Sequence, residues 1–141
     1  MSGAGDIHVA VVDDDRSVRS AMHRLLTEAG LIAGVFASGR EFLGTVREDP
    51  PDCLILDLNM PGMTGRELLG KVQERIPGLP VIFMTAVDDP ESRAELHELG
   101  AAYLAKPVEE HDLFGAIGAA LKMVDSEFDE FIRETVGPKS N

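Results

Sequence analysis

Several short pieces of this sequence carry the residue types of one chemical site, and in each a polar residue follows a short apolar, strand-like run. These pieces are Asp13-Asp14-Asp15, Asp57, Asn59-Met60-Pro61-Gly62, Thr85-Ala86 and Lys106-Pro107. The carboxyl ends of the strands in an open parallel sheet share one edge, where such folds place their sites. We therefore expect acids, a hydroxyl and an ammonium to converge at that edge, although they lie far apart in the chain.

The predicted site suits a hard divalent cation and a phosphoryl group. A carboxylate can attack a phosphoryl group and form an acyl phosphate. Because both partners are anionic, a Mg²⁺ ion held by one or two carboxylates is needed to bring them together, and Asp13 and Asp14 can supply those carboxylates. Lys106 can balance the charge as a compact cation. Thr85 can donate a hydroxyl hydrogen bond to a phosphoryl oxygen.

Strand-like and helix-like segments alternate along the chain and would position these residues. The strand-like runs are 7–12, 31–36, 53–56, 81–84 and 103–105. A helix-like segment follows each run, and the helix starts are marked by Asp15, Ser38, Thr64, Pro90 and Glu109. This alternation predicts an α/β fold, in which a doubly wound, five-stranded parallel sheet is covered by helices on both faces.

The composition is that of an acidic globular domain. The chain has 141 residues, 44% of them hydrophobic, and 25 acids against 13 Lys and Arg give a formal charge of −12. This charge argues against nucleic acid as a direct partner, because phosphate backbones require a basic face. The single cysteine, Cys53, lies in an apolar run and should be buried and inert. The absence of a disulfide, a signal peptide and a long apolar stretch predicts a cytoplasmic protein without membrane contact.

In combination and order, these motifs resemble the receiver domain of two-component response regulators. The resemblance covers about residues 7–122. It rests on Val11-Val12-Asp13-Asp14-Asp15, on the nine residues 57–65, on Thr85-Ala86 and on Tyr103-Leu104-Ala105-Lys106-Pro107. It implies a flavodoxin-like (βα)5 fold and a signalling domain rather than a turnover enzyme. It also implies that a sensor histidine kinase, or a histidine phosphotransfer protein, donates the phosphoryl group.

The same resemblance implies the acceptor and the metal ligands. Asp57 is implied as the phosphoryl acceptor. Mg²⁺, or alternatively Mn²⁺, is implied to bind to Asp14, to Asp57 and to the main-chain carbonyl of Asn59. Asp13 is implied to act on the ion through water.

The resemblance implies further roles on the other side of the site. Thr85 and Lys106 are implied to contact the phosphoryl group, and Tyr103 is implied to rotate as Thr85 moves. The peptide bond between Lys106 and Pro107 is expected to be cis. Val87 departs from the family pattern as an apolar residue near the phosphoryl group, where it should hinder water and lengthen the life of the acyl phosphate.

Two other functions are compatible with parts of this pattern. An Asp-nucleophile phosphohydrolase on a similar sheet would need a second acid two residues after the nucleophile, but that position is Asn59, which cannot transfer a proton in that role. A scaffold that acts without phosphorylation would not need the complete set of acids, threonine and lysine. Both alternatives are therefore less favoured than a phosphorylation switch.

The C-terminal part gives two conflicting signals. We divide the chain into a tail at 1–6, a receiver domain at 7–122 and a helical extension at 123–141. Apolar residues continue in a heptad rhythm through Phe114, Ile117, Leu121, Val124, Phe128 and Phe131. The rhythm favours a lengthened fifth helix that pairs with a second copy or another partner. Asp125-Ser126 could instead cap a separate helix that folds back.

Overall fold

A five-stranded parallel sheet forms the centre of the computed structural model, which describes residues 7–45, 48–85, 90–98 and 102–122. The strand order is β2-β1-β3-β4-β5. The strands are β1 (His8–Val12), β2 (Ile32–Phe36), β3 (Cys53–Asp57), β4 (Val81–Thr85) and β5 (Ala102–Ala105). The helices are α1 (Arg16–Glu28), α2 (Gly39–Thr45), α3 (Gly65–Arg75), α4 (Pro90–Glu98) and α5 (Glu110–Ala120). The predicted doubly wound (βα)5 fold is confirmed.

Each strand contributes alternate residues to the two faces of the sheet, because successive side chains of a strand point in opposite directions. On one face, α1 and α5 pack against residues such as Val9, Val11 and Ile55. On the other face, α2, α3 and α4 pack against residues such as Val12 and Leu56. The central strand β3 is therefore buried along its whole length. Its last residue, Asp57, is thus held in place by a strand that is packed on both faces.

The single cysteine is the first residue of this central strand. Cys53 is buried and free, as expected. Its burial raises the pKa of the thiol to about 12, so the thiolate form is disfavoured at neutral pH. A buried thiol of this kind packs as a small hydrophobic side chain.

Two helices next to the site begin with the caps that the sequence predicts. The side chain of Asp15 accepts a hydrogen bond from the main-chain N–H of Ser17 at 2.8 Å, and the Ser17 hydroxyl donates to the same oxygen at 2.7 Å. These bonds lower the pKa of Asp15. At α3, Thr64 Oγ1 accepts from the N–H of Glu67, and the Glu67 carboxylate accepts from the N–H of Thr64. This reciprocal pair satisfies two N–H groups that the helix leaves unpaired.

The fifth helix ends earlier than the heptad rhythm predicts. It stops at Ala120, and Lys122 has a left-handed φ of 59°. The N–H groups of Leu121 and Lys122 donate to the carbonyls of Ile117 and Ala119, which closes the last turn as in a helix C-terminus. Of the two alternatives that the sequence left open, the uninterrupted helix through this position is therefore wrong, whereas the separate helix capped by Asp125-Ser126 lies outside the described residues. The predicted helical extension and the homodimer that it would support fall on residues 123–141, outside the described part of the chain.

The N-terminus of α3 is held against the backbone that carries Asp57. The N–H of Gly65 donates to the carbonyl of Leu58 at 3.2 Å. A Cβ atom at Gly65 would lie 2.9 Å from the main-chain oxygen of Asp57 and 2.9 Å from the Cα of Leu58. Since both neighbours are main-chain atoms, no side-chain rotation could make room. Glycine at this position therefore permits the close approach of α3 to the end of β3.

Gly65→Ala should destabilise the domain by about 1–3 kcal/mol, the usual cost of forcing extra atoms into a packed region. Gly70→Ala is the matched control, because Gly70 lies in the same helix and a Cβ there would meet no atom within 4 Å. That control should stabilise the domain by about 0.5–1 kcal/mol through helix propensity. Urea unfolding of both variants measures the two effects. Equal stability of the two variants would contradict the close approach.

Candidate functional site

The strand register brings the predicted polar residues to one edge of the sheet. Val12 pairs with Leu56, so Asp13 and Asp57 each come one residue after this pair. Thr85 pairs with Ala105, so Lys106 is the next residue beyond that pair. The Lys106 N–H also donates to the Thr85 carbonyl at 2.9 Å. The predicted convergence of Asp13, Asp57, Thr85 and Lys106 at the carboxyl ends of the strands is confirmed.

Asp13 is the most firmly held residue of the site. Its side chain is completely buried, and its Oδ1 accepts from the N–H of Asp15 at 2.8 Å. Its own N–H donates to the carbonyl of Phe36 at 3.1 Å, and its carbonyl accepts from Nη1 of Arg19 at 2.9 Å. These contacts tie the end of β1 to β2 and to α1, so the orientation of the Asp13 carboxylate is determined by the fold.

Lys106 lies between the two buried acids. Its Nζ is 2.7 Å from Oδ2 of Asp13 and 3.5 Å from Oδ2 of Asp57. Oδ2 of Asp13 has no aligned hydrogen bond within the described residues, so the short contact is an ion pair with poor hydrogen-bond angles. Burial alone would lower the pKa of Lys106, but the two carboxylates outweigh it and raise the pKa. The ammonium is therefore charged at neutral pH.

Asp57 is the last residue of the central strand β3. It is 4% exposed, and its Oδ1 accepts from the N–H of Asn59 at 3.1 Å. Burial raises the pKa of the Asp57 carboxyl, and the nearby Asp13 carboxylate adds to the rise, whereas the Asn59 N–H and Lys106 oppose it. The charged form is thus poorly solvated, so it gains more from a neighbouring cation than an exposed carboxylate would.

Three carboxylates of this edge fit a divalent cation. Oxygen atoms of Asp13, Asp14 and Asp57 all lie within 4.8 Å of one another. Mg²⁺ prefers hard oxygen ligands, and it is usually bound by one or two carboxylates with water completing the shell. Asp14 is exposed, so an ion held by this group would be open to solvent and to a phosphoryl oxygen. The Oδ2 atom of Asp13 without an aligned hydrogen bond also retains acceptor capacity for such an ion or its water.

Other predicted residues of the site have different surroundings. Thr85 is 7% exposed and lies beside Lys106 at the same edge of the sheet. Tyr103 is 37% exposed and pairs in register with Phe83, on the face covered by α2, α3 and α4. The Lys106-Pro107 peptide bond is cis, as expected. Val87 lies outside the described residues.

Comparison with known proteins identifies the family. A sequence profile of the response regulator receiver domain matches residues 9–118. The chain belongs to the receiver domain family of response regulators. The match lies inside the predicted domain at 7–122, and receiver domains are signalling domains of two-component systems.

The receiver is similar to parts of longer regulators. It is 40% identical over 112 residues to the DNA-binding transcriptional regulator NtrC of Klebsiella pneumoniae, a match that covers 79% of this chain and 24% of NtrC. It is 35% identical over 120 residues to the response regulator protein TmoT of Ectopseudomonas mendocina, covering 84% of this chain and 54% of TmoT. The chain thus spans about a quarter of NtrC and about half of TmoT.

Solved structures of receivers have the same fold. A response regulator receiver protein from Burkholderia phymatum superposes with a TM-score of 0.73 at 40% identity, over 84% of this chain and 98% of that one. The chemotaxis protein CheY4 of Vibrio cholerae gives 0.75 at 31% identity, over 82% of this chain and 99% of that one. No helix within the described ranges is long and apolar enough to cross a membrane.

Sequence reasoning missed two residues that shape this receiver site. Glu67 completes the cap of α3, and the Thr-x-x-Glu spacing from Thr64 would have revealed it. Arg19 donates to the main chain of Asp13. No short motif marks that contact, because it depends on how α1 turns back over the end of β1.

Proposed function

We propose that this receiver accepts a phosphoryl group on Asp57 in a Mg²⁺-dependent reaction, and that the change alters a surface that binds other proteins. The observation that carries the proposal is the group of three carboxylate oxygens within 4.8 Å, with the Lys106 ammonium 3.5 Å from Asp57. Bound Mg²⁺ would lower the repulsion between the anionic acceptor and the anionic phosphoryl group. Asp14, Asp57 and the Asn59 carbonyl would hold it, with Asp13 acting through water; Mn²⁺ has compatible chemistry.

The residues of the chain have separate tasks in this reaction. The Asn59 N–H holds one oxygen of Asp57 at 3.1 Å, which leaves Oδ2 beside Lys106 as the other oxygen of the carboxylate. Lys106 supplies positive charge where the phosphoryl oxygens gather. The Thr85 hydroxyl can donate to one of those oxygens. Arrangement and charge therefore carry the reaction, and no side chain needs to act as a general acid.

The donor is a phosphohistidine of a sensor histidine kinase or of a histidine phosphotransfer protein. An oxygen of Asp57 forms a bond to phosphorus while the P–N bond of the donor breaks. The electron pair of that bond stays on the imidazole, which takes up a proton from solvent. The product on this chain is an acyl phosphate, and its added charge lies between Lys106 and Thr85. Tyr103 is the residue proposed to change its rotamer in response, as Thr85 moves.

The proposal is tested by phosphorylating the full chain with a small acyl-phosphate donor and measuring its intact mass. With Mg²⁺ present the mass should rise by about 80 Da, one phosphoryl group. With EDTA in place of Mg²⁺ the labelled fraction should fall to background. Continuous release of phosphate from a generic phosphate ester would favour a phosphohydrolase. No labelling under any condition would favour a scaffold that acts without phosphorylation.

A further inference from the structure

Arg19 connects the first helix to the end of the first strand. It is the fourth residue of α1, and its Nη1 donates to the main-chain carbonyl of Asp13 across a part-buried contact of 2.9 Å. The guanidinium is planar and permanently charged, so it makes a firm donor to a carbonyl. The contact spans the turn 13–15, which carries both Asp13 and Asp14.

With Arg19 in place, every polar group of Asp13 has a neighbour that restrains it. Phe36 accepts from its N–H, Asp15 donates to Oδ1, and Lys106 pairs with Oδ2. The first two are main-chain contacts, and the third comes from within the site. Among the described residues, Arg19 is the one that holds Asp13 with its side chain without itself belonging to the group of three acids and Lys106. It has no part in the reaction proposed above.

We infer that Arg19 is a positioning residue that sets the Mg²⁺ affinity of this receiver by holding the turn 13–15. The inference rests on the proposed Mg²⁺ site. The contact fixes the direction in which β1 ends, and therefore the distance between the Asp13 carboxylate and Asp57. Mg²⁺ requires nearly ideal octahedral geometry at about 2.0–2.1 Å, so a small displacement of a ligand or of a residue that orders its water weakens binding.

A purely electrostatic role for Arg19 has the opposite consequence. Arg19 brings a positive charge close to the acids that would bind a cation, and like charges repel. If charge were its only contribution, removing it would tighten Mg²⁺ binding. If positioning dominates, removing it weakens binding despite the favourable loss of charge. The sign of the change therefore separates the two roles.

A comparison of two ions distinguishes the positioning role of Arg19 from an electrostatic role in a second way. Ca²⁺ accepts more ligands and a flexible geometry at about 2.3–2.6 Å, whereas Mg²⁺ does not. A misplaced turn should therefore reduce Mg²⁺ affinity more than Ca²⁺ affinity. A change in charge acts on two divalent ions alike, because both carry the same charge.

The experiment is calorimetric titration of the full chain with MgCl₂ and with CaCl₂. Arg19→Gln should weaken Mg²⁺ binding about tenfold, the low end of the effect of partners that orient metal ligands, and should weaken Ca²⁺ binding less. Arg19→Lys keeps the charge and one donor, so it should restore part of the Mg²⁺ affinity. Arg16→Gln is the matched control: Arg16 begins the same helix, is exposed, and its side chain has no hydrogen bond or ion pair among the described residues. It should bind Mg²⁺ as tightly as the wild type or slightly more tightly.

The result that overturns the inference is Mg²⁺ binding by Arg19→Gln as tight as that by Arg16→Gln. An equal loss of affinity for both ions also overturns it, as does a reduced stoichiometry at unchanged Kd, which would mean that part of the protein is unfolded. Failure of the proposed function looks different, because the wild-type protein itself would then bind no Mg²⁺.

Discussion

Asp57→Asn should abolish phosphorylation of this chain, leaving its mass unchanged under conditions that add about 80 Da to the wild type. The amide keeps the shape of the side chain and can still accept from the Asn59 N–H, which lies 3.1 Å from Oδ1. It lacks the anionic oxygen that must attack phosphorus. Asp49→Asn is the matched control, since Asp49 is an exposed acid in a loop and should be labelled like the wild type.

The same substitution should stabilise the protein when EDTA removes divalent ions. Burial raises the pKa of Asp57, which means that folding disfavours its charged form. The resulting loss of stability is absent below the unfolded pKa of the carboxyl and appears as the pH rises through the folded pKa. The melting temperature of the wild type should therefore be lower than that of Asp57→Asn at neutral pH, and the difference should become smaller as the pH falls.

For the acceptor assignment, the contrary result is labelling of Asp57→Asn at the wild-type level, which would reject Asp57 as the acceptor.

Asp14→Asn should weaken Mg²⁺ binding by at least about tenfold, because it removes one of the few carboxylates available to the ion. A ligand at 100 times its Kd stabilises the folded state by about 2.7 kcal/mol. At the same Mg²⁺ concentration a tenfold weaker site stabilises the folded state by only about 1.4 kcal/mol. At least about half of the increase in melting temperature on adding Mg²⁺ should therefore disappear. Without the ion, Asp14→Asn should melt slightly above the wild type, because one of three crowded negative charges has been removed.

Asp13→Asn provides the contrast for this prediction. It should also weaken Mg²⁺ binding, but it removes the carboxylate that lies 2.7 Å from the Lys106 ammonium. Its melting temperature without the ion should therefore fall below that of Asp14→Asn. Thermal melts of both variants, with EDTA and with MgCl₂, test this order. If Asp13→Asn were the more stable of the two, Asp13 would be merely a repelling neighbour of Asp14.

The sequence predicts the fold well because its signals are local and agree with one another. Asp15 and Thr64 are good caps at the positions where helical spacing begins, and both cap their helices in the structure. The alternation of strands and helices predicts a parallel sheet. In such a sheet the residues that follow the strands share one edge, which is why Asp13, Asp57 and Lys106 could be expected to converge. These positions depend on topology, which a repeated pattern of apolar residues specifies.

What could not be predicted depends on contacts between elements. The sequence could not decide where α5 ends, because Lys122 adopts a left-handed conformation that is usually signalled by glycine. The close approach at Gly65 depends on the path of the main chain after β3. Similarly, Asp13 and Asp14 look alike in the sequence, and only the structure shows that Asp13 is paired with Lys106.

Asp13 and Asp14 are restrained to different degrees, so they lose different amounts of side-chain entropy when an ion binds. Asp13 is buried and held through four contacts, so it loses almost no rotamer freedom when an ion arrives. Asp14 is exposed, and ordering such a side chain costs about 0.5–1.5 kcal/mol. Folding has therefore already met the ordering cost for one acid, while the other must be ordered anew each time an ion binds. The exposed acid is consequently the place where small sequence changes could tune how long an ion stays.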